Sequence, residues 1–350
     1  MIIKSEAKNM IRFESDYSEG CIPEILEALK KSNLEQTPGY GMDEHCENAR
    51  NLIRKACKAP KAEVQFLVGG TQANVTVIAS ILKPYQGALC PESGHINVHE
   101  TGALEATGHK CLNLPSKDGK INAKQVEEAI LLQKNDGSFE QIVHPGLVYI
   151  SFPTETGLLY SKKELMDLYK VCKKHHVYLF VDGARMGYGL ASKKNDLTLA
   201  DFAKYSDVFY IGGTKVGALF GEAVVIPNKE LQKDFRYNIK QRGGMLAKGR
   251  LLGIQFEELF KQNRYFKISK KAAECAERLA KALQDKGYDF AYEPQTNQLF
   301  PIMSNKKIKE LRKHFAFHTF GSVDKNHSIV RFVTSFLTEK EQVQKLIKEL

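Results

Sequence analysis

An aspartate and a lysine stand at the ends of two short apolar runs. Asp182 lies in Val181-Asp182-Gly183-Ala184-Arg185, after Val177 to Phe180, and Lys215 closes Gly212-Gly213-Thr214-Lys215, after Val208 to Ile211. Runs of this length and composition predict buried strands, and in an open α/β sheet ligands bind outside the carboxyl ends of the strands, so the two groups meet at one sheet edge. A lysine there can form an imine with an aldehyde, and an acid there can keep a ring nitrogen protonated so that the ring accepts electrons. The pair suits pyridoxal phosphate. The plainer alternative is structural: a buried carboxylate is costly unless it meets a cation, and Arg185, three residues on, is the nearest candidate for an ion pair with Asp182. Lys215 follows two glycines, a poor place for a solvated lysine and a good one for close approach of a ligand.

Two further runs extend this chemistry. Gly69-Gly70-Thr71-Gln72-Ala73-Asn74 follows a predicted strand, Val64 to Val68, and opens a predicted helix, Thr71 to Leu82. Backbone amides at a helix start form an anion site, and glycine lets a phosphate come close. The alternative is a tight turn with Thr71 as the N-cap. The run is neither a Walker loop nor a Gly-x-Gly-x-x-Gly fingerprint, which argues against a nucleotide. His95 follows a strand predicted to end near Cys90 and is placed to stack on a flat ring, although it also suits a purely structural histidine. His99, four residues on, raises a metal pair, but there is no His-Glu-x-x-His pattern and no third ligand, so no metal is expected.

The elements that must position these groups alternate between residues 60 and 227. Gly146 to Phe152, Val177 to Val181, Asp207 to Ile211 and Glu222 to Ile226 read as strands, and Ser161 to His176 as a helix with Leu165, Leu168, Tyr169 and Cys172 on one face. After Asn228 the pattern turns to long helices, Lys229 to Gln241 and Arg250 to Lys286, the latter ended by Gly287. Strand-like Gln298 to Met303, a helix from Asn305 to Phe315, strand-like Ser328 to Phe336 and a terminal helix from Thr338 complete a small α+β unit. The chain therefore divides into a large domain over residues 1–240 and a small C-terminal one over 241–350, with no repeat or flexible linker between them.

Composition bounds the function classes. With 350 residues, 43% hydrophobic and 26% charged, the chain is an ordinary globular protein. Its net charge of +10 attracts phosphates and carboxylates, but the basic residues are spread over helix faces, which argues against nucleic acid. Seven cysteines without a Cys-x-x-Cys pair read as reduced thiols and a cytoplasmic setting. No apolar run approaches roughly 18 residues, and Met1 to Asn9 has no apolar core, so neither membrane insertion nor export is expected.

On Gly-Thr-Gln-Ala-Asn at 70 to 74, Asp-Gly-Ala-Arg at 182 to 185 and Lys215, the chain resembles the threonine aldolase family. That family lies within the β-eliminating lyase and aminotransferase superfamily of fold-type I pyridoxal phosphate enzymes, and the resemblance runs from Ser15-Asp16 to Arg331. It implies an α/β large domain with a mostly parallel seven-stranded sheet flanked by helices. It further implies that Gly70, Thr71 and Gln72 hold the cofactor phosphate, His95 stacks on the ring, Asp182 pairs with the ring nitrogen and Lys215 makes the Schiff base. Ser15, Arg185 and Arg331 then look like the clamp on the substrate carboxylate, where the bidentate arginine fork fits. The implied reaction splits the Cα–Cβ bond of a 3-hydroxy amino acid, threonine or allo-threonine, to glycine and an aldehyde, in a homodimer or homotetramer with sites between subunits. The chain departs from the family in three places. Tyr17 follows Ser15-Asp16 where threonine is usual. Pro153-Thr154-Glu155-Thr156-Gly157 replaces a segment that carries a histidine, so Glu155 is the candidate for proton handling. Either Arg242 or Lys248 stands in for the arginine that reaches a neighbouring subunit's phosphate. An aminotransferase or β-eliminating lyase uses the same residues, and a non-catalytic basic interaction module is the remaining alternative.

Overall fold

A computed structural model describes residues 10–350, and the Met1 to Asn9 expectation lies outside the described residues. Seven strands form the central sheet, in the order Glu63–Leu67, Glu222–Ile226, Val208–Gly212, Tyr178–Asp182, His144–Ser151, Gln86–Pro91 and Cys111–Leu114. Six run in one direction, and Glu222–Ile226 runs opposite to both of its neighbours. The sheet is buried on both faces, which is why its strands read as nearly continuous apolar runs. Along Tyr178–Asp182, Leu179 and Val181 enter one core and Phe180 the other. The direction of strand addition reverses at His144–Ser151, and the carboxyl edge beside such a switch point is where an α/β sheet opens a crevice.

The glycines at the strand ends have a packing reason. A Cβ at Gly183 would sit 1.9 Å from the Tyr210 carbonyl oxygen, and one at Gly212 would sit 2.2 Å from that of Ala184. At Gly213 it would lie 2.8 Å from the Gly221 carbonyl oxygen. The pair before Lys215 thus makes room for neighbouring backbone, not for a ligand as the sequence suggested.

A second sheet joins Ile302–Ser304, His327–Val333 and His318–Ser322 antiparallel, with Gln298–Leu299 on the far end of the middle strand. Its core contains Leu279, Leu283, Leu299, Phe332 and Val343, and also Phe13 from the start of the chain. Ile11–Arg12 pairs with Phe315–Ala316, so the N-terminal segment is stitched to this small unit before it reaches Ser15.

Several predicted helices are shorter than their patterns. Lys229 to Gln241 is a single turn at Lys229–Leu231 followed by Phe235–Gln241, separated by left-handed Asp234. Arg250 to Lys286 splits into Arg250–Phe260 and Arg264–Asp285, because Gln262 and Asn263 adopt left-handed backbone. The sequence reading passed over the helices Pro23–Ser32, Glu44–Ala56 and Ala123–Lys134. No helix among the described residues is long and apolar enough to cross a membrane.

Candidate active site

The Gly69–Gln72 turn is built as an open anion cradle. Helix Gly70–Ile81 has Gly69 as its N-cap, with no side-chain capping bond, so Thr71 lies inside the first turn and is not the cap the sequence allowed. Its first amides are unclaimed by side chains, and a Cβ at Gly69 would meet nothing within 4 Å. Such amides, with the helix dipole behind them, favour a phosphate. Gln72 braces the turn: its Oε1 accepts from Val68 N at 3.2 Å and its Nε2 donates to the Arg242 carbonyl at 3.2 Å. Arg242 is thereby fixed beside the cradle with its Nε buried and unpartnered, while Lys248 is exposed and makes no tie to it.

Asp182, the last residue of its strand, is 4% exposed. The expected ion pair with Arg185 is not there. Instead the carboxylate accepts from Tyr149 Oη at 2.6 Å, Asn74 Nδ2 at 3.1 Å, the Ala184 amide at 2.9 Å and Tyr210 Oη. Burial opposes its charge, but the His95 charge and these donors outweigh burial and hold the carboxyl below its ordinary range. Four donors, three from separate elements and one from the turn after its own strand, fix both its charge and its direction.

The same network reaches His95. Asn74 Nδ2 also donates to Glu100 Oε1 at 2.7 Å, and that oxygen lies 2.8 Å from His95 Nδ1. On the other side, Ser151 Oγ lies 3.3 Å from Tyr149 Oη and donates to Glu155 Oε1 at 2.6 Å. Glu155 Oε1 accepts from the His95 backbone amide at 3.1 Å and closes the ring of bonds. Burial works against a charged imidazole, yet the Glu100 bond and the Asp182 charge raise the His95 pKa. Burial pushes the Glu155 carboxyl up, and its Oε2 is buried without a partner. The His95 and His99 rings stand 5.6 Å apart, and no cluster of three metal-ligating side chains occurs among the described residues.

Lys215 sits three residues beyond strand Val208–Gly212. Burial and then the Arg185 charge lower its pKa, opposed by Asp16, Asp182 and Glu222. Arg185 belongs to Asp16: Nε lies 2.7 Å from Oδ2 and Nη2 lies 3.0 Å from Oδ1, and Asn297 Nδ2 donates to Oδ2 at 2.9 Å. Arg331 is close enough to Arg185 for the two charges to repel, and its pKa is lowered by burial and by that repulsion. Its Nε is buried and unpartnered, and Nη2 reaches only the Glu14 carbonyl at 3.4 Å. Ser15 Oγ lies 2.8 Å from Ser18 Oγ at the same end of the N-terminal segment. Two guanidiniums are thus crowded together, one held by Asp16 and the other with a buried Nε that has no acceptor.

These features fit pyridoxal phosphate: a side-chain-free cradle for the phosphate, a fixed carboxylate for the ring nitrogen and a desolvated lysine for the aldehyde carbon. Comparison with known proteins decides the family, because the β-eliminating lyase family model matches residues 13–306. The chain belongs to the β-eliminating lyase family. A low specificity L-threonine aldolase of Pseudomonas sp. (strain NCIMB 10558) is 30% identical over 344 residues, covering 97% of this chain and 96% of that one. The structure of a Leishmania major threonine aldolase is 43% identical and superposes with a TM-score of 0.94, covering 97% and 98%. A Thermus thermophilus aspartate aminotransferase, at 12% identity and a TM-score of 0.70 over 97% and 91%, shares the fold alone. The protein is a pyridoxal-phosphate-dependent lyase of the threonine aldolase type, on the fold-type I scaffold expected from the sequence.

Sequence reasoning missed Asn74, Glu100, Tyr149, Tyr210, Asp16 and Glu222 as parts of this β-eliminating lyase site. Glu222 carried a usable signal, a charged side chain opening an otherwise apolar strand. Tyr149 and Tyr210 did not, since a tyrosine in a strand reads as core.

Proposed function

We propose that this lyase splits the Cα–Cβ bond of a 3-hydroxy amino acid, threonine or allo-threonine, to glycine and an aldehyde. The observation that supports this best is the Asp182 network, which joins the ring-nitrogen acid to the candidate proton-moving groups His95 and Glu155 in one circuit. In this reading Gly70 and Thr71 hold the cofactor phosphate with Gln72 bracing them, His95 covers the ring and Lys215 bonds the aldehyde carbon. When bound, pyridoxal phosphate supplies the electron sink for a bond broken at Cα.

Arg185 and Arg331, with Ser15, take the α-carboxylate in bidentate fashion and so fix which bond at Cα is aligned to break. Glu100 holds His95 through Nδ1, leaving Nε2 to receive the proton of the substrate hydroxyl, and the half-exposed ring can pass it on. Glu155, its carboxyl pushed up by burial, holds the His95 backbone in place and is the second proton carrier. The neighbouring phosphate contact is assigned to Lys248, because Gln72 binds Arg242 to the cradle of its own chain while Lys248 is exposed. Sites shared between subunits of a homodimer or homotetramer, a cytoplasmic setting and the division at residue 240 complete the reading.

The test is incubation of the cofactor-loaded protein with L-threonine and L-allo-threonine. Glycine and acetaldehyde in equal amounts are expected, with loss of both in Lys215→Ala. A keto acid or ammonia as the product overturns the reading.

A further inference from the structure

The His95 and His99 rings stand 5.6 Å apart between centroids, with their planes tilted by 54°. One turn of helix, His95–Val98, brings them together, and the His99 amide closes that turn by donating to the His95 carbonyl at 2.9 Å. The next residue, Glu100, is buried and lies against His95 Nδ1, whereas His99 is exposed. The pair lacks, among the described residues, the third ligand that a metal site needs, and what two imidazoles at this spacing can share is a proton.

With Nδ1 facing Glu100, His95 has one nitrogen, Nε2, for the proton of the substrate hydroxyl, and that nitrogen must be emptied before the next turnover. The His95 side chain is 36% exposed in the free protein, and a flat ring and a substrate packed against it take solvent away from it. His99 keeps a path open, because one water with hydrogen bonds of about 2.8 Å on each side spans the gap between the rings. Burial, then the charges of His95 and Arg331, hold His99 below its ordinary value, so its ring is neutral and able to accept at neutral pH. His95 is held above its own, so a proton moves onto the weaker base only as fast as solvent drains it. The transfer breaks the N–H bond at His95 Nε2 and forms one at His99, moves no electrons, and ends with the proton in bulk water, balancing the one that Cα takes up.

We propose that His99 is the relay that carries the proton from His95 to solvent, a residue that acts through His95 without touching the substrate. The inference rests on the aldolase reading of the site. Its test is the cofactor-loaded His99→Gln variant, whose amide keeps the polarity of the ring and cannot take up a proton. The side chain is exposed, so the substitution leaves the fold intact. At low buffer concentration the kcat for L-threonine falls about tenfold, while KM and the Kd for glycine, read from the visible absorption, stay at wild-type values. Added imidazole restores kcat, and an equal concentration of chloride salt does not. A kcat equal to wild type, or a loss that imidazole fails to restore, overturns the proposal. So does a raised KM or glycine Kd, which marks His99 as a contact to the substrate or the cofactor. A wild type that releases no glycine and acetaldehyde from L-threonine counts against the aldolase reading itself and removes the relay with it, whereas an active wild type beside an equally active variant overturns the relay alone.

Discussion

Arg185 and Asp16, 169 residues apart in the chain, meet through two hydrogen bonds of 2.7 and 3.0 Å. Asp16 follows the segment that pairs with Phe315–Ala316 of the small C-terminal unit, and Arg185 follows the Asp182 strand of the central sheet. The pair therefore ties the two units together at the arginine assigned to the substrate carboxylate.

Asp16→Asn removes the anion and leaves a buried guanidinium without its counter-charge. Breaking one half of a buried pair costs about 3 kcal/mol, which calorimetry reads as a lower Tm. The KM for threonine rises more than kcat falls, since orientation of Arg185 is lost. The pH dependence carries a second signature. The Arg185 and Lys215 charges outweigh burial and depress the folded Asp16 pKa below 3.8, so its contribution is full above the unfolded value and is lost as pH falls through the depressed one. Acid unfolding curves of wild type and Asp16→Asn converge below that range.

Arg331→Met separates stability from function. The wild-type side chain is partly buried, repelled by Arg185 and short of acceptors, so an apolar replacement of similar length raises the Tm by about 1 kcal/mol equivalent. The same change removes a charge-assisted contact worth ~2 kcal/mol, and KM rises about thirtyfold. A fall in Tm together with an unchanged KM contradicts the clamp.

Glu100→Gln lowers the His95 pKa. The Glu100 carboxylate helps to hold that imidazole above its ordinary value against burial, and its loss lets the value fall. NMR titration of the ring protons reads it directly. The acid limb of the pH–rate profile moves down with it if His95 carries the hydroxyl proton, and stays in place if the ring only stacks.

Gly69→Ala probes the phosphate cradle. Gly69 has extended backbone at φ −173°, and an added methyl meets nothing within 4 Å, so the apoprotein keeps its Tm within about 0.5 kcal/mol equivalent. The methyl points into the space assigned to the phosphate, and the Kd for pyridoxal phosphate rises about tenfold. Cofactor affinity equal to wild type places the phosphate elsewhere.

Much of the fold was legible because each predicted strand satisfies a local rule. Val208–Gly212 is apolar throughout and Glu222–Ile226 is apolar after its first residue, as expected of strands buried on both faces. Helix Lys162–Lys174 shows its period and its Ser161–Glu164 capping box in the sequence itself. The break at Gln262 and Asn263 was invisible, since neither residue is a helix breaker and the apolar period runs through it. Pro23–Ser32 and Glu44–Ala56 were passed over because they lie outside the alternating βα segment.

From the sequence alone came the identity of the chemistry-bearing groups and the edge they share, because a strand end is a local property and the carboxyl edge of a parallel sheet is common to all its strands. Partner choice belonged to the tertiary structure. Asp182 is held by Tyr149, Tyr210 and Asn74 and not by Arg185, which turns to Asp16. Neighbours in sequence need not face each other at a strand end, and a buried charge takes whichever donor the strand order brings within about 3 Å.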